Sequence, residues 1–234
     1  MTVPQEPLWV LGYGSLIFKP PPHAAFRVPG LIRGYARRFW QSSSDHRGTP
    51  EKKGRVVTLV SYDDIIAKSS FLLDVKKYTS GLKNDFARDD LKLWACAYYI
   101  PAEHSREVKE YLDVREQDGY TLHEIPFEIH QDGEFKDEEL KRAVDALPVD
   151  ASGKHILTSK VYIGTSENAS FIGPEDVKDT AKIIEGSRGP SGENWEYLEK
   201  LYQSLVELDK HEKDEYIEAL VREVLSIRSK NTAE

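Results

Sequence analysis

Two short stretches of this chain combine residue types suited to binding an anion and moving a proton. The first stretch, residues 12–17, directly follows the apolar run 8–11. It consists of Gly12, Tyr13, Gly14, Ser15, Leu16 and Ile17. The two glycines predict a tight turn at the end of a buried strand, where backbone N–H groups can point outward at an anion. The second stretch, residues 112–120, contains the carboxylate of Glu116, which can accept a proton from the molecule that the turn binds.

The turn motif does not match the common nucleotide-binding patterns. Ile17 stands where a dinucleotide fingerprint requires its third glycine, and the prolines at 20–22 prevent a helix from following. No phosphate-binding loop of the form G-x-x-x-x-G-K-[ST] occurs in the sequence. Ser15 lacks the G-x-S-x-G context of a serine nucleophile, so we expect it to act through its backbone, with its hydroxyl available to the substrate.

Four motifs, taken in order along the chain, give a more specific indication than the turn alone. They are Gly12-Tyr13-Gly14-Ser15-Leu16-Ile17, then Ser44-Asp45-His46-Arg47-Gly48-Thr49-Pro50 with Gly54-Arg55-Val56-Val57-Thr58-Leu59, then Arg115-Glu116-Gln117-x-Gly119-Tyr120, and finally Gly189-Pro190-Ser191-Gly192-x-Asn194-x-Glu196-Tyr197-Leu198. In this order they resemble the motifs of the ChaC family of glutathione-specific γ-glutamylcyclotransferases. The resemblance extends from about Leu8 to Leu201, and it weakens in residues 61–92 and near the C-terminus.

The resemblance implies a substrate, a reaction and a set of site residues. Members of this family convert glutathione into 5-oxoproline and cysteinylglycine, so glutathione is the implied partner and no cofactor is expected. The turn at 12–17 is then the binding site of the γ-glutamyl group, and Glu116 is the catalytic residue. The other implied substrate contacts are a positive group, Arg55, and the wall or hydrogen-bonding residues Tyr120, Asn194 and Tyr197.

The chemistry of a γ-glutamyl peptide explains why one carboxylate suffices. The free α-amino group and the γ-carbonyl carbon belong to the same residue, so attack of one on the other closes a five-membered lactam and expels the remaining peptide as an amine. The attacking ammonium, with a pKa of about 8, must lose a proton, and the leaving amine must gain one. A free glutamate has a pKa of about 4.3, which is far below that of the ammonium group. We therefore expect partial burial to raise the pKa of Glu116 and narrow this difference.

Several alternatives remain open on the residues alone. Glu116 could be a surface carboxylate paired with Arg115, and Asn194 could cap a helix as well as bind the substrate. The N–H groups of the turn could stabilise an oxyanion or hold the substrate carboxylate. The chain could also act on other γ-glutamyl amino acids or amines, or bind γ-glutamyl ligands without catalysis. The intact motif at 115–120 favours catalysis, because a pure binding module needs no proton acceptor.

The composition favours a cytoplasmic enzyme without nucleic-acid or membrane partners. The net charge of −8 and the sequence pI of about 5.5 disfavour binding to nucleic acids and to anionic membranes. The one basic and aromatic cluster contains Arg33, Arg37 and Arg38, which we interpret as arginines that extend beside a strand towards solvent. No signal peptide is predicted, so the cytoplasm is the expected location, with the nucleus also open.

Neither the cysteine nor the histidine spacing predicts a metal centre. Cys96 is the only cysteine, so the chain can form no internal disulfide and no cysteine-ligated zinc site. The seven histidines show no spacing such as H-E-x-x-H. Cys96 lies in the apolar run 93–100 and is predicted to be buried in a strand.

Strands and helices do not alternate regularly, which favours an α+β fold over a doubly wound sheet. Strands are predicted at 8–11, 55–60, 94–100, 121–129 and 160–163, and helices at 103–114, 137–147, 175–184 and through the C-terminal part. The family resemblance implies a small mixed β-barrel surrounded by helices, in one domain over residues 1–234. Within it, residues 62–92 are predicted to be a partly helical surface insertion, with a lid over the pocket as the alternative, and residues 203–234 a helical extension.

Overall fold

The computed structural model describes residues 5–115, 120–209 and 213–231. Within these residues the strands are β1 (Leu8–Gly12), β2 (Phe26–Arg33), β3 (Tyr35–Ser43), β4 (Gly54–Ser61), β5 (Lys92–Ile100), β6 (Thr121–Ile129), β7 (Ile156–Ile163), β8 (Arg188–Gly189) and β9 (Gly192–Glu193). The helices are α1 (Tyr62–Ala67), α2 (Ser69–Lys77), α3 (Ser105–Arg115), α4 (Glu138–Asp145), α5 (Val177–Gly186), α6 (Asn194–Leu208) and α7 (Glu215–Asn231). Short 3₁₀ turns cover Ser15–Ile17, Arg88–Asp90 and Ala102–His104. The predicted α+β class is confirmed.

Each strand predicted from the sequence is present, although most extend beyond the predicted bounds. β6 has the predicted bounds, whereas β7 begins at Ile156 rather than at Lys160. The helix predicted at 137–147 is α4, and the carboxylate of its N-cap, Asp137, accepts hydrogen bonds from backbone N–H groups of the first turn at 2.9 and 3.1 Å. Such a cap satisfies donors that have no partner inside the helix, which is why α4 begins there.

The chain divides into two compact units, Met1–Arg33 with Lys92–Ile163 and Gly34–Leu91 with Gly164–Glu234. The first unit contains a sheet of five strands in the order β1-β5-β2-β6-β7, and all of its pairings are antiparallel. Its edge strands, β1 and β7, also meet, because the Ser159 hydroxyl donates to the carbonyl oxygen of Trp9 at 2.8 Å. The sheet is therefore nearly closed, as the predicted barrel requires.

β2 is a strand that the sequence pattern conceals. It contains Pro29 and Gly30, a pair that normally indicates a turn. Only glycine fits at position 30, because a Cβ there would lie 2.3 Å from the carbonyl oxygen of Glu128 and 2.5 Å from the ring of Phe127. Pro29 has no N–H to donate, but its carbonyl oxygen accepts a hydrogen bond from the backbone N–H of His130 at 2.9 Å. These two residues let β2 approach β6 closely.

In the second unit, β3 and β4 form an antiparallel pair with an irregularity between Arg38 and Gln41. Arg37 and Arg38 lie within β3 and are only 2% and 3% exposed. The sequence interpretation expected these side chains to extend towards solvent, and for Arg37 and Arg38 it is wrong. Arg37 instead pairs with Asp214 at 2.9 Å, and Arg38 pairs with Asp74 at 2.7 Å. A buried guanidinium group needs such a carboxylate, and the partners come from α2 and from the residue before α7.

Residues 62–92 supply part of the core of the second unit. Helices α1 and α2 fall within this segment and each buries apolar side chains. The buried members of the cluster are Ala36, Trp40, Val60, Ile65, Phe71, Val75, Phe86 and Leu91. The last five of these come from 62–92, so the segment packs its apolar side chains against β3 and β4.

The C-terminal helices α6 and α7 carry the helical apolar stripes that the sequence predicts. The buried residues of α6 include Trp195, Tyr197, Leu198, Leu201 and Leu205. Those of α7 are Tyr216, Ile217, Leu220, Val221 and Val224. Their spacing of three and four residues places each set on one helix face, so both helices belong to the packed core of the second unit.

Candidate functional site

The turn after β1 lies where the glycine motif predicts it. β1 ends at Gly12, and Gly14 precedes the 3₁₀ turn Ser15–Ile17, in which the Ile17 N–H donates to the carbonyl oxygen of Gly14 at 3.0 Å. The φ of Gly14 is −129°, so its role does not depend on left-handed backbone. Position 12 has no room for a side chain, because a Cβ there would lie only 2.9 Å from the Cβ of Leu16.

The neighbouring strand β5 holds the carbonyl groups of this turn. The hydroxyl of Tyr98 reaches the carbonyl oxygens of Leu16 and Ile17 at 2.8 and 3.2 Å. Cys96 is fully buried, as predicted, and its Sγ donates to the carbonyl oxygen of Gly12 at 3.7 Å. Burial raises the pKa of the Tyr98 hydroxyl above its ordinary value, so it stays protonated and able to donate. The sequence interpretation did not single out Tyr98, although its place two residues after Cys96 on a strand puts both side chains on one face.

The C-terminal end of α3 is fastened to the same turn. Arg115 is the last residue of α3, and its Nη2 donates to the hydroxyl of Ser15 at 2.7 Å. Its Nη1 donates to the carbonyl oxygen of Lys19 at 3.3 Å. Glu116, the predicted catalytic residue, follows Arg115 directly and lies outside the described residues. Its role therefore stays a prediction, although the residue beside it in sequence is bound to the predicted substrate-binding turn.

A second connection joins the turn to β7 and α3. The buried Tyr13 donates its hydroxyl hydrogen to the carbonyl oxygen of Tyr162 at 2.9 Å. The hydroxyl of Tyr162 in turn donates to the carboxylate of Asp113 on α3. Tyr120, another predicted site residue, is half-buried and immediately precedes β6. The sheet and the turn together thus orient the helix end that precedes Glu116.

In the second unit, Asn194 holds the strand that carries Arg55. Asn194 is the first residue of α6 and is fully buried. Its side-chain amide accepts a hydrogen bond from the Arg55 N–H at 2.6 Å and donates one to the Arg55 carbonyl oxygen at 2.7 Å. The amide therefore satisfies the backbone of β4 as a neighbouring strand would. The helix-capping alternative is wrong, because the N-cap of α6 is Glu193 and no side chain caps the helix there.

The guanidinium group of Arg55 has acceptors within the second unit. Its Nε and Nη2 donate to the two carboxylate oxygens of Glu175 at 2.8 and 2.7 Å, and its Nη1 donates to the carbonyl oxygen of Gly54 at 3.1 Å. The Arg55 side chain is only 10% exposed, which favours a strong bidentate ion pair. A substrate contact by Arg55 stays a prediction, and a substrate carboxylate would have to compete with Glu175.

Tyr197 is buried between an aromatic ring and a cation. Its ring meets that of Phe39 edge-on, with 5.8 Å between centroids, and the guanidinium carbon of Arg47 lies 5.6 Å from the Tyr197 centroid. Arg47 also donates to the carbonyl oxygen of Glu193 at 3.0 Å and to the carboxylate of Glu196 at 3.2 Å. Arg47 belongs to one of the recognised motifs, but the sequence interpretation did not select it as a site residue.

The four sequence motifs thus form two pairs, one in each unit. In the first unit, the Ser15–Arg115 hydrogen bond joins the turn motif to the start of the motif at 115–120. In the second unit, the backbone N–H of Ser191 donates to the carbonyl oxygen of His46 at 2.9 Å. Only glycine fits at position 189 beside this contact, because a Cβ there would lie 2.3 Å from the carbonyl oxygen of His46. Residues separated by 100 positions in the first unit and by 145 in the second are therefore brought together.

Within the residues that the structure describes, no helix is both long and apolar enough to cross a membrane.

Comparison with known proteins places the chain in a family. Residues 8–227 match the model of the ChaC-like protein family. The chain is 49% identical to the glutathione-specific γ-glutamylcyclotransferase of Saccharomyces cerevisiae over 97% of its own length and 100% of that protein. It is 38% identical to the enzyme of the same name from Schizosaccharomyces pombe, over 94% of each chain. A crystal structure of the γ-glutamyl cyclotransferase specific to glutathione from yeast matches with a TM-score of 0.87 and 49% identity, covering 94% of this chain and 96% of that one. The predicted resemblance is confirmed, and the chain belongs to the ChaC-like family.

Proposed function

We infer that this chain is a glutathione-specific γ-glutamylcyclotransferase, which degrades glutathione by cyclising its γ-glutamyl group. The observation that carries this inference is the relation, over nearly the whole length of both chains, to two enzymes named for that activity. The products are 5-oxoproline and cysteinylglycine. The fold agrees with this conclusion, because the yeast enzyme of that specificity has the same architecture.

The reaction rearranges bonds within one substrate and consumes no water. The α-amino nitrogen bonds to the γ-carbonyl carbon, and the amide bond between that carbon and the cysteine nitrogen breaks. From the ammonium form of the substrate to the lactam, the attacking nitrogen loses two protons, and the leaving nitrogen gains two as it becomes an ammonium group, so the reaction has no net proton change. Holding the two reacting groups together in a curled substrate can supply about 7–11 kcal/mol of the barrier reduction.

Glu116 is the proposed proton carrier. A single carboxyl group can accept the proton from the α-ammonium and then donate it to the departing amine. The position of its neighbour supports this assignment, because Arg115 is hydrogen-bonded to Ser15 of the turn at 2.7 Å. The helix end that leads into Glu116 is therefore directed at the proposed γ-glutamyl site.

The turn at 12–17 is the proposed binding site of the γ-glutamyl group. Hydrogen bonds from β5 to the carbonyl groups of Gly12, Leu16 and Ile17 support this assignment. A turn whose carbonyl groups are held in place can present backbone N–H donors at fixed positions, which is what an oxyanion or a carboxylate requires.

The proposed substrate-binding set also contains Tyr120, Tyr197 and Arg55, and the fourth predicted residue, Asn194, supports it indirectly. The hydrogen-bonding groups of the Asn194 amide and of the Arg55 guanidinium already have partners in the second unit. We therefore assign Asn194 the role of fixing the backbone of β4. Tyr197, which is held by Phe39 and Arg47, contributes a rigid aromatic wall.

The activity is proposed to take place in the cytoplasm without a nucleic-acid or membrane partner. The net charge of −8 supports this assignment, because an acidic chain is repelled by phosphate backbones and by anionic lipids.

The decisive experiment is to incubate the purified chain with glutathione in ¹⁸O-labelled water and to identify the products by mass spectrometry. We expect 5-oxoproline that contains no solvent oxygen. N-Acetylglutathione should be inert, because its nitrogen is no longer a nucleophile. Labelled glutamate as the primary product would contradict cyclisation and indicate a hydrolase.

Parallel incubations with γ-Glu-Ala and γ-Glu-ε-Lys test the substrate class. Faster release of 5-oxoproline from either of these than from glutathione would shift the assignment to other γ-glutamyl amino acids or amines. Inactivity towards all three substrates, combined with glutathione binding in calorimetry, would indicate a non-catalytic binding module.

A further inference from the structure

Three potential metal ligands lie together in the first unit, outside the four motifs. His23, His104 and Glu107 each offer one ligand atom, and these atoms all lie within 4.8 Å of one another. The Nε2 of His23 is 3.2 Å from one carboxylate oxygen of Glu107, and the Nδ1 of His104 is 3.9 Å from the other. The two imidazole rings are stacked, with 3.9 Å between their centroids. Two imidazoles and one carboxylate therefore converge on a small volume.

Two separate elements bring these side chains together. His104 ends the 3₁₀ turn Ala102–His104, and Glu107 lies in the first turn of α3, so their spacing of three residues places both on one face. His23 comes from the loop before β2, 81 positions before His104 in the sequence. This separation explains why the spacing of histidines alone predicted no metal site.

The backbone of His23 has a left-handed conformation. Its φ is +57°, and it is the only residue other than glycine with a positive φ in the part of the chain that the structure describes. This conformation is uncommon for a residue with a Cβ, and it persists only where the surrounding structure enforces it.

We propose that His23, His104 and Glu107 bind one Zn²⁺ ion. Two histidine nitrogens and a carboxylate oxygen are a preferred ligand set for this ion, and three protein ligands leave a fourth position for water. The rings lie within 7° of parallel, and one ion cannot lie in the planes of two parallel rings. Binding therefore requires the imidazoles to rotate, which their exposure permits, since the side chains of His23 and His104 are 34% and 37% exposed.

A bound ion would connect the loop before β2 to the N-terminal end of α3. The C-terminal end of the same helix is already fastened to the turn by Arg115. The ion therefore stabilises the first unit, and no step of the cyclisation uses it. This proposal stands independently of the proposed function, because its test measures binding and stability rather than turnover.

The test is a calorimetric titration of the untagged chain with Zn²⁺. We expect one ion per chain, and we expect His23→Asn and Glu107→Gln each to weaken binding at least tenfold. Asn suits the positive φ at position 23, so that variant removes the imidazole while keeping the backbone conformation. The control is His130→Ala, which removes a histidine that pairs with Asp132 at 2.9 Å but belongs to no such three-ligand group among the described residues. Mg²⁺ should not bind measurably, because imidazole ligands do not suit it.

The melting temperature provides a second, independent readout. Zn²⁺ should raise the melting temperature of the unmodified chain and of His130→Ala, but not that of His23→Asn or Glu107→Gln. Far-ultraviolet circular dichroism establishes that each variant is folded before it is titrated. Absence of Zn²⁺ binding by the unmodified chain, or equal affinities in the unmodified chain and the two ligand variants, would overturn the proposal. An equal loss of binding in His130→Ala would also overturn it, because it would indicate scattered surface histidines.

Discussion

Among single residues, Glu116 carries the sharpest prediction of the mechanism. Glu116→Gln keeps the size of the side chain and removes its ability to accept and donate a proton. We expect glutathione turnover to fall by about 10²–10⁴-fold, the usual contribution of a general acid–base group, while glutathione binding is retained. Product assays and calorimetry measure the two effects separately. The matched control is Glu110→Gln, which changes an exposed glutamate of α3 and should leave turnover nearly unchanged. Near-normal turnover in Glu116→Gln would remove this residue from the mechanism.

The Arg55–Glu175 ion pair allows a structural role to be separated from substrate binding. Glu175→Gln leaves a mostly buried guanidinium group without its charged partner, and we expect the free energy of unfolding to fall by about 1–3 kcal/mol with little change in KM. Arg55→Lys removes the bidentate geometry and should lower stability and also raise KM for glutathione. Urea unfolding and steady-state kinetics on both variants provide the comparison. An unchanged KM in Arg55→Lys would assign Arg55 to the structure alone.

Motif residues could be selected from the sequence, but their partners could not. Arg55 and Asn194 stood out through the family motifs, whereas Glu175 lies 120 positions from Arg55 and belongs to no motif. Tyr98 was likewise not predicted as a site residue, because it contacts the turn from a strand more than eighty residues away. Such contacts depend on how the strands and helices are assembled, and local spacing carries no information about that.

At the level of elements, the attachment of α3 to the turn is the feature that connects the described structure to the proposed catalytic residue, Glu116. Arg115 reaches both the Ser15 hydroxyl and the Lys19 carbonyl oxygen from the last position of the helix. Arg115→Lys retains the charge but cannot form the same pair of hydrogen bonds. We therefore expect a lower kcat, because misplacement of the following Glu116 by about 1 Å can reduce the rate roughly 10²-fold.

The control for this prediction lies on the same helix. Arg106→Lys makes the same change at an exposed position in the first turns of α3, and it should leave kcat and KM unaltered. Steady-state kinetics with glutathione, with folding checked by circular dichroism, compare the two variants. If Arg115→Lys and Arg106→Lys have equal kcat values, the hydrogen bond to Ser15 does not position the proposed catalytic residue, Glu116.

The elements that the sequence failed to predict share a physical cause. β2 contains Pro29 and Gly30, which indicate a turn locally but are required by the close approach of β6. β3 contains Arg37 and Arg38, whose charges argue against burial until their carboxylate partners are known. By contrast, β6 and α4 were predictable because alternation, capping and apolar periodicity are local properties. Long-range contacts override local preference where the two disagree.

Across the whole molecule, each compact unit is assembled from two separate stretches of chain. The α+β class and the barrel-like sheet were predictable, because the first follows from the order of elements and the second from the family resemblance. The division into two units was not predictable, because no linker-like segment rich in glycine or serine separates Met1–Arg33 and Lys92–Ile163 from the rest of the chain. The motifs nevertheless pair within the units, because hydrogen bonds join Arg115 to Ser15 in the first and Ser191 to His46 in the second.

The contribution of the C-terminal helix to overall stability gives a prediction at this scale. α7 lies beyond the last of the four sequence motifs, yet Leu220 is fully buried. Leu220→Ala should lower the free energy of unfolding by about 2–5 kcal/mol, since it removes buried methylene and methyl groups and leaves a cavity. Because domains are stable by only about 5–15 kcal/mol, this loss would be a large fraction of the total.

Leu225 supplies the matched comparison, because it lies on the same helix and is 51% exposed. Leu225→Ala makes the same chemical change, and a surface substitution of this kind should alter the free energy of unfolding by no more than about 0.5 kcal/mol. Urea unfolding of both variants measures the difference directly. Under conditions where both variants are folded, kcat should be the same in each, because no proposed site residue lies on α7. Equal stability of the two variants would mean that α7 is dispensable to the core, contrary to its buried face.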